Sequence, residues 1–431
     1  MHKIERLLHT LAPKGVEFRK LGDIGEYIRG VTYKKNQEIN NLECGIKVLR
    51  ANNITLSNHL NFEDIKVINK NVKIRKEQYL KKNDILICAG SGSSEHIGKV
   101  AFINTDFDYV FGGFMGVIRI REVNSRFVYH IFTSNIFKQY LEKSLNTTTI
   151  NNLNANILQN FLIPIPPLEI QQEIVKILDA FTELNTELNT ELNARKKQYQ
   201  YYQNMLLDFN DINQNHKDAK EKLAQKPYPK RLKTLLQALA PKGVEFRKLG
   251  EVCEILDNRR IPIAKNKRNP GIYPYYGANG IQDYIDSYIF DGDFVLVGED
   301  GSVINKDNTP VVNWASGKIW VNNHAHVLQT KNELKLKFLY FYLQTIDVSY
   351  CVAGTPPKIN QENLKQITIP IPPLEIQQEI VKILDQFSLL TTDLLAGIPA
   401  EIKARKKQYE YYREKLLTFK PLTPNKEVKK G

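Results

Sequence analysis

The sequence predicts an α+β fold: two β-rich domains separated by a pair of long antiparallel coiled-coil-like helices, related by a pseudo-twofold internal repeat. Three observations predict it. LAPKGVEFRKLG at 11–22 recurs unchanged at 239–250, IPIPPLEIQQEIVKILD at 163–179 recurs unchanged at 369–385, and ARKKQY at 194–199 recurs at 404–409. Between these matched segments, 23–162 and 251–368 differ in length and in nearly every residue. After each IPIPP run, apolar residues fall three or four apart over a long stretch, the spacing of a helical seam. A solenoid would repeat at a short fixed period. Here a constant frame holds two unlike inserts.

In chain order, the reading is a β-rich domain over 1–163, a helical spacer over 164–210, a linker and lead-in helix over 211–240, a second β-rich domain over 241–369 and a second helical spacer over 370–431. Short strands joined by Gly-, Asn- and Ser-rich loops are expected at Lys47–Arg50, Asp84–Cys88 and Val117–Ile120, and again at Phe294–Val297 and Lys318–Val321. Ile163-Pro164-Ile165-Pro166-Pro167 is extended, because a residue before proline is pushed out of the α region. A helix then starts at about Leu168, and no proline interrupts it until Pro227. Its seam is Ile174, Leu178, Phe181, Leu184, Leu188, Leu192, Tyr199, Tyr202 and Leu206. Roughly 40 residues at 1.5 Å each span about 60 Å. The second seam is Ile380, Leu384, Phe387, Leu394, Ile402, Tyr409, Tyr412 and Leu416, with a break and restart expected at Gly397-Ile398-Pro399. Matching stripes make the two helices natural partners for each other; packing of each on its own domain is the alternative.

Thr182–Asn193 reads TELN three times, which keeps Leu184, Leu188 and Leu192 on one stripe. Each unit adds about 6 Å of helix, comparable to one or two base-pair steps of about 3.4 Å. The tract reads as a length adjuster or, more plainly, as helical filler.

Composition bounds the class. The chain has 431 residues, 42% hydrophobic and 25% charged, which is a globular balance with room for two or three domains. No run of about 18 apolar residues is present, so no membrane span is expected. The N-terminus is too charged for a secretory signal. The four cysteines (Cys44, Cys88, Cys253, Cys351) form no CxxC pair, which fits a reducing cytoplasm. A net charge of +13 and a pI near 9.2 suit a polyanion partner.

These segments resemble the specificity subunits of Type I restriction–modification systems. The doubled IPIPPLEIQQEIVKILD, ARKKQYEYYREKLL, PKGVEFRKLG and the tetrapeptide repeat carry the resemblance across essentially the whole chain. Tyr275–Asp286, Val295–Ser302 and Val321–Leu328 resemble one type of target-recognition domain; Tyr79–Ser93 and Ser144–Asn154 resemble pieces of another. The resemblance implies a non-catalytic, cytoplasmic subunit that directs its complex to a bipartite double-stranded DNA target, two half-sites with a fixed gap. It also implies two modification (methyltransferase) subunits docked on the helices and restriction subunits beside them. S-adenosylmethionine, ATP and Mg are then expected on those partners and none on this chain.

Catalytic motifs are missing from the text. Asn269-Pro270-Gly271-Ile272 fails the N/D-P-P-Y/F pattern of an amino-methyltransferase. Phe111-Gly112-Gly113-Phe114-Met115-Gly116 reads as a turn between strands rather than a cofactor loop. Gly92 to Lys99 has one residue too many for a phosphate loop, and Val100 stands where Ser or Thr is needed. No proline precedes Asp or Glu, so a PD…(D/E)xK nuclease centre cannot be written. His324 and His326 share a strand face without an obvious third ligand, so no metal site is expected.

Reading base edges in the major groove needs bidentate donors and acceptors. Candidates in the first insert are Arg50, Asn52 and Asn53, then Ser91, Ser93 and Ser94, then Thr147, Thr148 and Thr149. In the second they are Tyr276, Asn279 and Gln282, then Ser302, Asn322 and Asn323, and Lys358 after the Gly354-Thr355-Pro356-Pro357 turn. Each alternatively caps a turn. In the frame, Arg195, Lys196, Lys197 and Tyr199, with Arg405, Lys406, Lys407 and Tyr409, read as a docking face for the modification subunits. A solvated helix face and a nucleic-acid patch are the alternatives.

Overall fold

The computed structural model describes residues 2–40, 44–90, 96–145, 153–213, 218–301, 303–392 and 397–422. They form two compact units, one of residues 1–188 with 402–431 and one of residues 189–401. The helices used below are α1 (His2–Leu11), α2 (Ser125–Phe132), α3 (Leu168–Leu207), α4 (Lys230–Leu239), α5 (Leu336–Leu343), α6 (Leu374–Thr392) and α7 (Gly397–Leu417).

Each insert is closed at its base by the frame. In the first unit Glu17–Lys20 runs antiparallel to Leu162–Ile165, with Glu17 opposite Ile165 and Lys20 opposite Leu162. In the second, Glu245–Lys248 pairs with Thr368–Ile371 in the same register. The Ile-Pro-Ile text is therefore extended, as its prolines require, and the two-stranded clip tolerates proline because both strands are edges. The long helices start at Leu168 and Leu374. The expected restart occurs at Gly397, which takes a φ of +72° that suits glycine.

The frame cores are built in a crossed manner. Ile170, Ile174 and Leu178 are fully buried in the first unit with Leu416, Leu417 and Phe419 from the end of the second copy. Ile376, Ile380 and Leu384 are fully buried in the second unit with Leu206, Leu207 and Phe209 from the end of the first copy. Each such side chain contributes about 1.5–3 kcal/mol on burial. Phe181 stacks on Tyr412 at 5.7 Å in the first unit, and Tyr202 stacks on Phe387 at 5.1 Å in the second. Rising positions on α3 thus meet falling positions on α7 and α6, an antiparallel sense. Because α3 gives its first half to one core and its second to the other, the units do not follow the five consecutive segments read from the sequence.

The TELN tract is helical throughout, with Leu188 buried and Leu184 and Leu192 half-buried. Thr182 and Thr186 donate their hydroxyls to the carbonyls of Leu178 and Thr182, each at 2.9 Å, which satisfies a poor helix former one turn back.

The inserts differ in architecture. The first carries two four-stranded sheets, Gly25–Arg29/Met115–Ile120/Ile85–Cys88/Val100–Phe102 and Glu38–Ile39/Lys66–Ile68/Ile46–Leu49/Tyr109–Phe111. The second carries one six-stranded sheet in the order Cys253–Ile255, Ala325–Thr330, Phe290–Gly298, Val312–Val321, Pro270–Gly277, Gly280–Ile285. Expected strands Val117–Ile120, Phe294–Val297 and Lys318–Val321 lie inside these, whereas Lys47–Arg50 and Asp84–Cys88 each overrun the observed strand by one residue, Arg50 and Asp84.

Candidate nucleic-acid interface

In the first insert the strand Ile46–Leu49 delivers Arg50 to its end, and a single turn over Ala51–Asn53 follows. Asp64 gathers this corner: its carboxylate accepts from the Arg50 guanidinium at 2.8 Å and from the Asn52 amide at 2.9 Å. Both donors remain near the surface, so a phosphate or base edge would compete with Asp64 for them. Asn53 is a correction. It is 1% exposed, accepts from the Arg50 backbone N–H at 2.8 Å and donates to the carbonyls of Asn61 and Asp64. It caps the turn and has nothing to offer DNA.

The Phe111–Gly116 text is a strand–turn–strand, as read. Gly30 permits it, since a Cβ there would lie 2.0 Å from the Gly112 carbonyl. The turn lifts Phe114 out at 74% exposure beside a cleft of about 720 Å³ shared by Arg29, Lys35, Arg50, Asn52 and Gly113. Sequence reasoning missed Phe114, Arg29 and Lys35. A large apolar residue after two turn glycines was the available signal. Ser91, Ser93, Ser94, Thr147, Thr148, Thr149 and Ser302 lie outside the described residues.

In the second insert the structure brings three candidates together. Gln282 lies over Gly277, where a Cβ would be 2.1 Å from its amide nitrogen, and accepts from Asn322 at 3.4 Å. The Asn322 backbone N–H donates to the Tyr276 carbonyl at 3.0 Å. Asn322, 3% exposed, also accepts from the His324 N–H at 2.8 Å, so its amide holds a turn. Tyr276 is buried as well, and burial pushes its hydroxyl up. Expecting these two to face DNA is therefore corrected: Tyr276 belongs to a core cluster with Phe290 and Phe294, and the turn consumes Asn322. Asn279, Gln282 and Asn323 stay exposed.

Lys358 is paired with Glu299 at 3.0 Å. Arg260 bridges Glu299 at 2.6 Å, the Ala325 carbonyl at 2.7 Å and Asp257 at 3.5 Å. His326 is buried between Asp257 at 2.6 Å and the Ile359 carbonyl at 2.8 Å. The missing third ligand is thus corrected: Asp257, Glu299 and His326 converge. Their carboxylates already face Arg260 and Lys358, so an ion-pair network accounts for them. Burial pushes the Asp257 carboxyl up, but His326 and Arg260 outweigh it and hold it below its usual range. His324 hydrogen-bonds Asp300 near the surface.

On the frame helices Lys196, Lys197, Lys406 and Lys407 are exposed, Arg195 reaches Gln198 at 3.1 Å, and Arg405 is half-buried. Tyr199 and Tyr409 are turned onto their own cores, Tyr409 meeting Phe181 at 6.2 Å. Burial raises the Tyr199 hydroxyl strongly. Their docking role is corrected because the seam spacing that orders them also buries them. Two residues on, Tyr201 and Tyr411 stand out at 59% and 61% exposure in the same register of the two copies.

Comparison with known proteins gives a consistent picture. The family described as Type I restriction modification DNA specificity domain matches residues 13–198 and 241–404. A putative type I restriction enzyme specificity subunit of Haemophilus influenzae is 44% identical over 193 residues, 44% of this chain and about half (49%) of that protein. A putative type I specificity subunit of Mycoplasma pneumoniae is 34% identical over 264 residues, 60% of this chain and 95% of that one. Among solved structures, the S subunit of a Type I restriction–modification system from M. genitalium superposes with a TM-score of 0.53 at 15% identity, over 93% of this chain and 95% of that one. A chain solved for complex assembly and conformational transition of the type I R-M system gives 0.56 at 17% identity, over 94% and 97%. No described helix is long and apolar enough to cross a membrane. With its doubled frame, its two β-rich inserts and a family match over most of its length, this chain belongs to the Type I restriction–modification DNA specificity subunits.

Proposed function

We propose that the chain reads a bipartite double-stranded DNA target in the cytoplasm, one half-site per insert, and is itself non-catalytic. The observation that carries this reading is one continuous helix, α3, that contributes residues to two units whose frames are alike and whose inserts are not. Arg29, Arg50, Asn52 and Phe114 in the first insert, and Asn279, Gln282 and Asn323 in the second, are the surface groups best suited to base edges and phosphates. Ser91, Ser93, Ser94, Thr147, Thr148, Thr149 and Ser302 remain in the proposed contact set, and Lys358 is suited to a phosphate once released from Glu299. Two modification subunits dock on the frame helices through Lys196, Lys197 and Tyr201, and through Lys406, Lys407 and Tyr411, because exposed aromatics in matched registers suit the same partner twice. Restriction subunits join them, and S-adenosylmethionine, ATP and Mg belong to these partners.

Methylation mapping in cells with and without this chain tests the reading. Two short motifs at a fixed gap are expected, and a single contiguous motif overturns it. Deleting one TELN unit shortens that gap by one or two base pairs, from about 6 Å of lost helix, with both half-sites unchanged. Altered half-sites would remove the spacer role.

A further inference from the structure

The two inserts share no evident text, yet they are seated on the frame by the same four contacts. Glu122 pairs with Arg19 at 3.0 Å, and Glu333 pairs with Arg247 at 3.0 Å. Two residues on, the backbone N–H of Asn124 donates to Gln171 at 3.0 Å, and that of Lys335 donates to Gln377 at 2.8 Å. Four residues on from the acid, Arg126 pairs with Asp179 at 2.8 Å and Lys337 with Asp385 at 3.0 Å. One further, Phe127 meets Phe419 and Phe338 meets Phe209, each with ring centroids 6.3 Å apart. Arg19, Gln171, Asp179 and Phe419 correspond to Arg247, Gln377, Asp385 and Phe209 in the matched frame segments.

We propose that each frame copy is a socket whose key is Glu-x-x-x-Arg/Lys-Phe, carried by the insert where it re-enters the frame. The chemistry explains why such a code can ignore what the insert reads. Two points are side-chain charges four residues apart, an acid three residues before a helix and a cation in its first turn, one is an aromatic ring contact, and one is a backbone N–H that every residue except proline supplies. Gln171 and Gln377 are buried and anchored behind this contact, donating to the carbonyls of Pro166 and Pro372 at 2.7 Å each. The socket therefore senses the path of the incoming chain and two charges, and leaves the strands and loops beyond free to vary. The inference stands whether or not the inserts read DNA.

The test replaces residues 23–162 with residues 251–368, so that both sockets hold the second insert. The chimera is expected to be monodisperse and to unfold cooperatively within about 5 °C of the parent chain; an insoluble or non-cooperative product overturns the socket. A companion chimera carrying Lys337→Glu and Phe338→Ala in the transplanted copy alone should lose cooperative unfolding of that unit. If it is as stable as the first chimera, the code is wrong. Independently of any transplant, Asp385→Lys and Lys337→Asp in the parent chain should each lower the unfolding midpoint by about 2–4 °C, and the double variant should recover most of the loss. Simple addition of the two losses overturns the pairing. Methylation mapping of a folded chimera with its partners separates the two readings: absence of any two-part motif breaks the proposed function and leaves the socket standing.

Discussion

The two units solve one packing problem with different chemistry at a single place. Asp179 in the first unit is held by Arg126 at 2.8 Å and by the fully buried His130 at 2.8 Å. Its counterpart Asp385 is held by Lys337 alone among the described residues, and the position matching His130 is the buried Phe341. At this position one socket therefore holds a buried imidazole and the other a buried phenyl ring. The contrast shows what is tolerated at a seam: the frame demands a cation opposite its aspartate, while the residue one turn behind can be polar or apolar if its partners suit.

The strongest way to probe this comparison is through the groups the units share. Gln377→Ala leaves the Lys335 N–H and the Glu333 and Pro372 carbonyls without their amide partner, whereas Gln171→Ala orphans the Asn124 N–H and the Pro166 carbonyl. At about 1–3 kcal/mol per orphaned buried group, the Gln377 variant should lose more. Both tryptophans, Trp314 and Trp320, lie in the second unit, so denaturant unfolding followed by fluorescence should move for Gln377→Ala and not for Gln171→Ala. Equal fluorescence shifts would mean that the units do not unfold separately.

A smaller effect distinguishes the aspartates. Asp179→Ala strands buried His130 and should cost about 1–3 kcal/mol. Asp385→Ala removes a pair whose side chains are both about 40% exposed, and should cost no more than about 1 kcal/mol. Circular dichroism melts of the two variants check the order, and a reversal would show that the histidine adds nothing.

The smallest effect is one of pH. Burial lowers the His130 pKa below its ordinary 6.5, with Asp179 opposing. A depressed folded value means that the unfolded chain takes up the proton first. Stability is then fully present above about pH 6.5 and is lost as pH falls through that value toward the folded one. His130→Phe, which copies the second unit, should flatten the stability profile between pH 7 and 5. An unchanged slope in hydrogen exchange of the first unit would remove His130 from the account.

Much of this was legible in the chain. The proline-bounded helix starts, the seam residues other than Leu394, which lies outside the described residues, and the Gly397 restart follow from local rules: a fixed φ, a missing N–H, a period of three to four. The candidate site was legible only in part. Asn53 and Asn322 were chosen for amides that could read a base, and both amides are taken by their own turns, a competition between local and foreign partners that residue type cannot decide. Phe114 was passed over because its exposure depends on Gly30 admitting a neighbouring turn. Asp257, Glu299 and His326 were not connected because they meet across three segments.

By itself, the sequence determined that two like frames hold two unlike inserts, since an unchanged duplication and a periodic stripe are properties of order along the chain. Only the tertiary structure decided that each core is closed by the other copy's helix end, and that Glu122 and Glu333, lost in dissimilar text, occupy one position. Those facts depend on which surfaces meet. Burial and ion pairing act through space between segments that the chain's order leaves far apart.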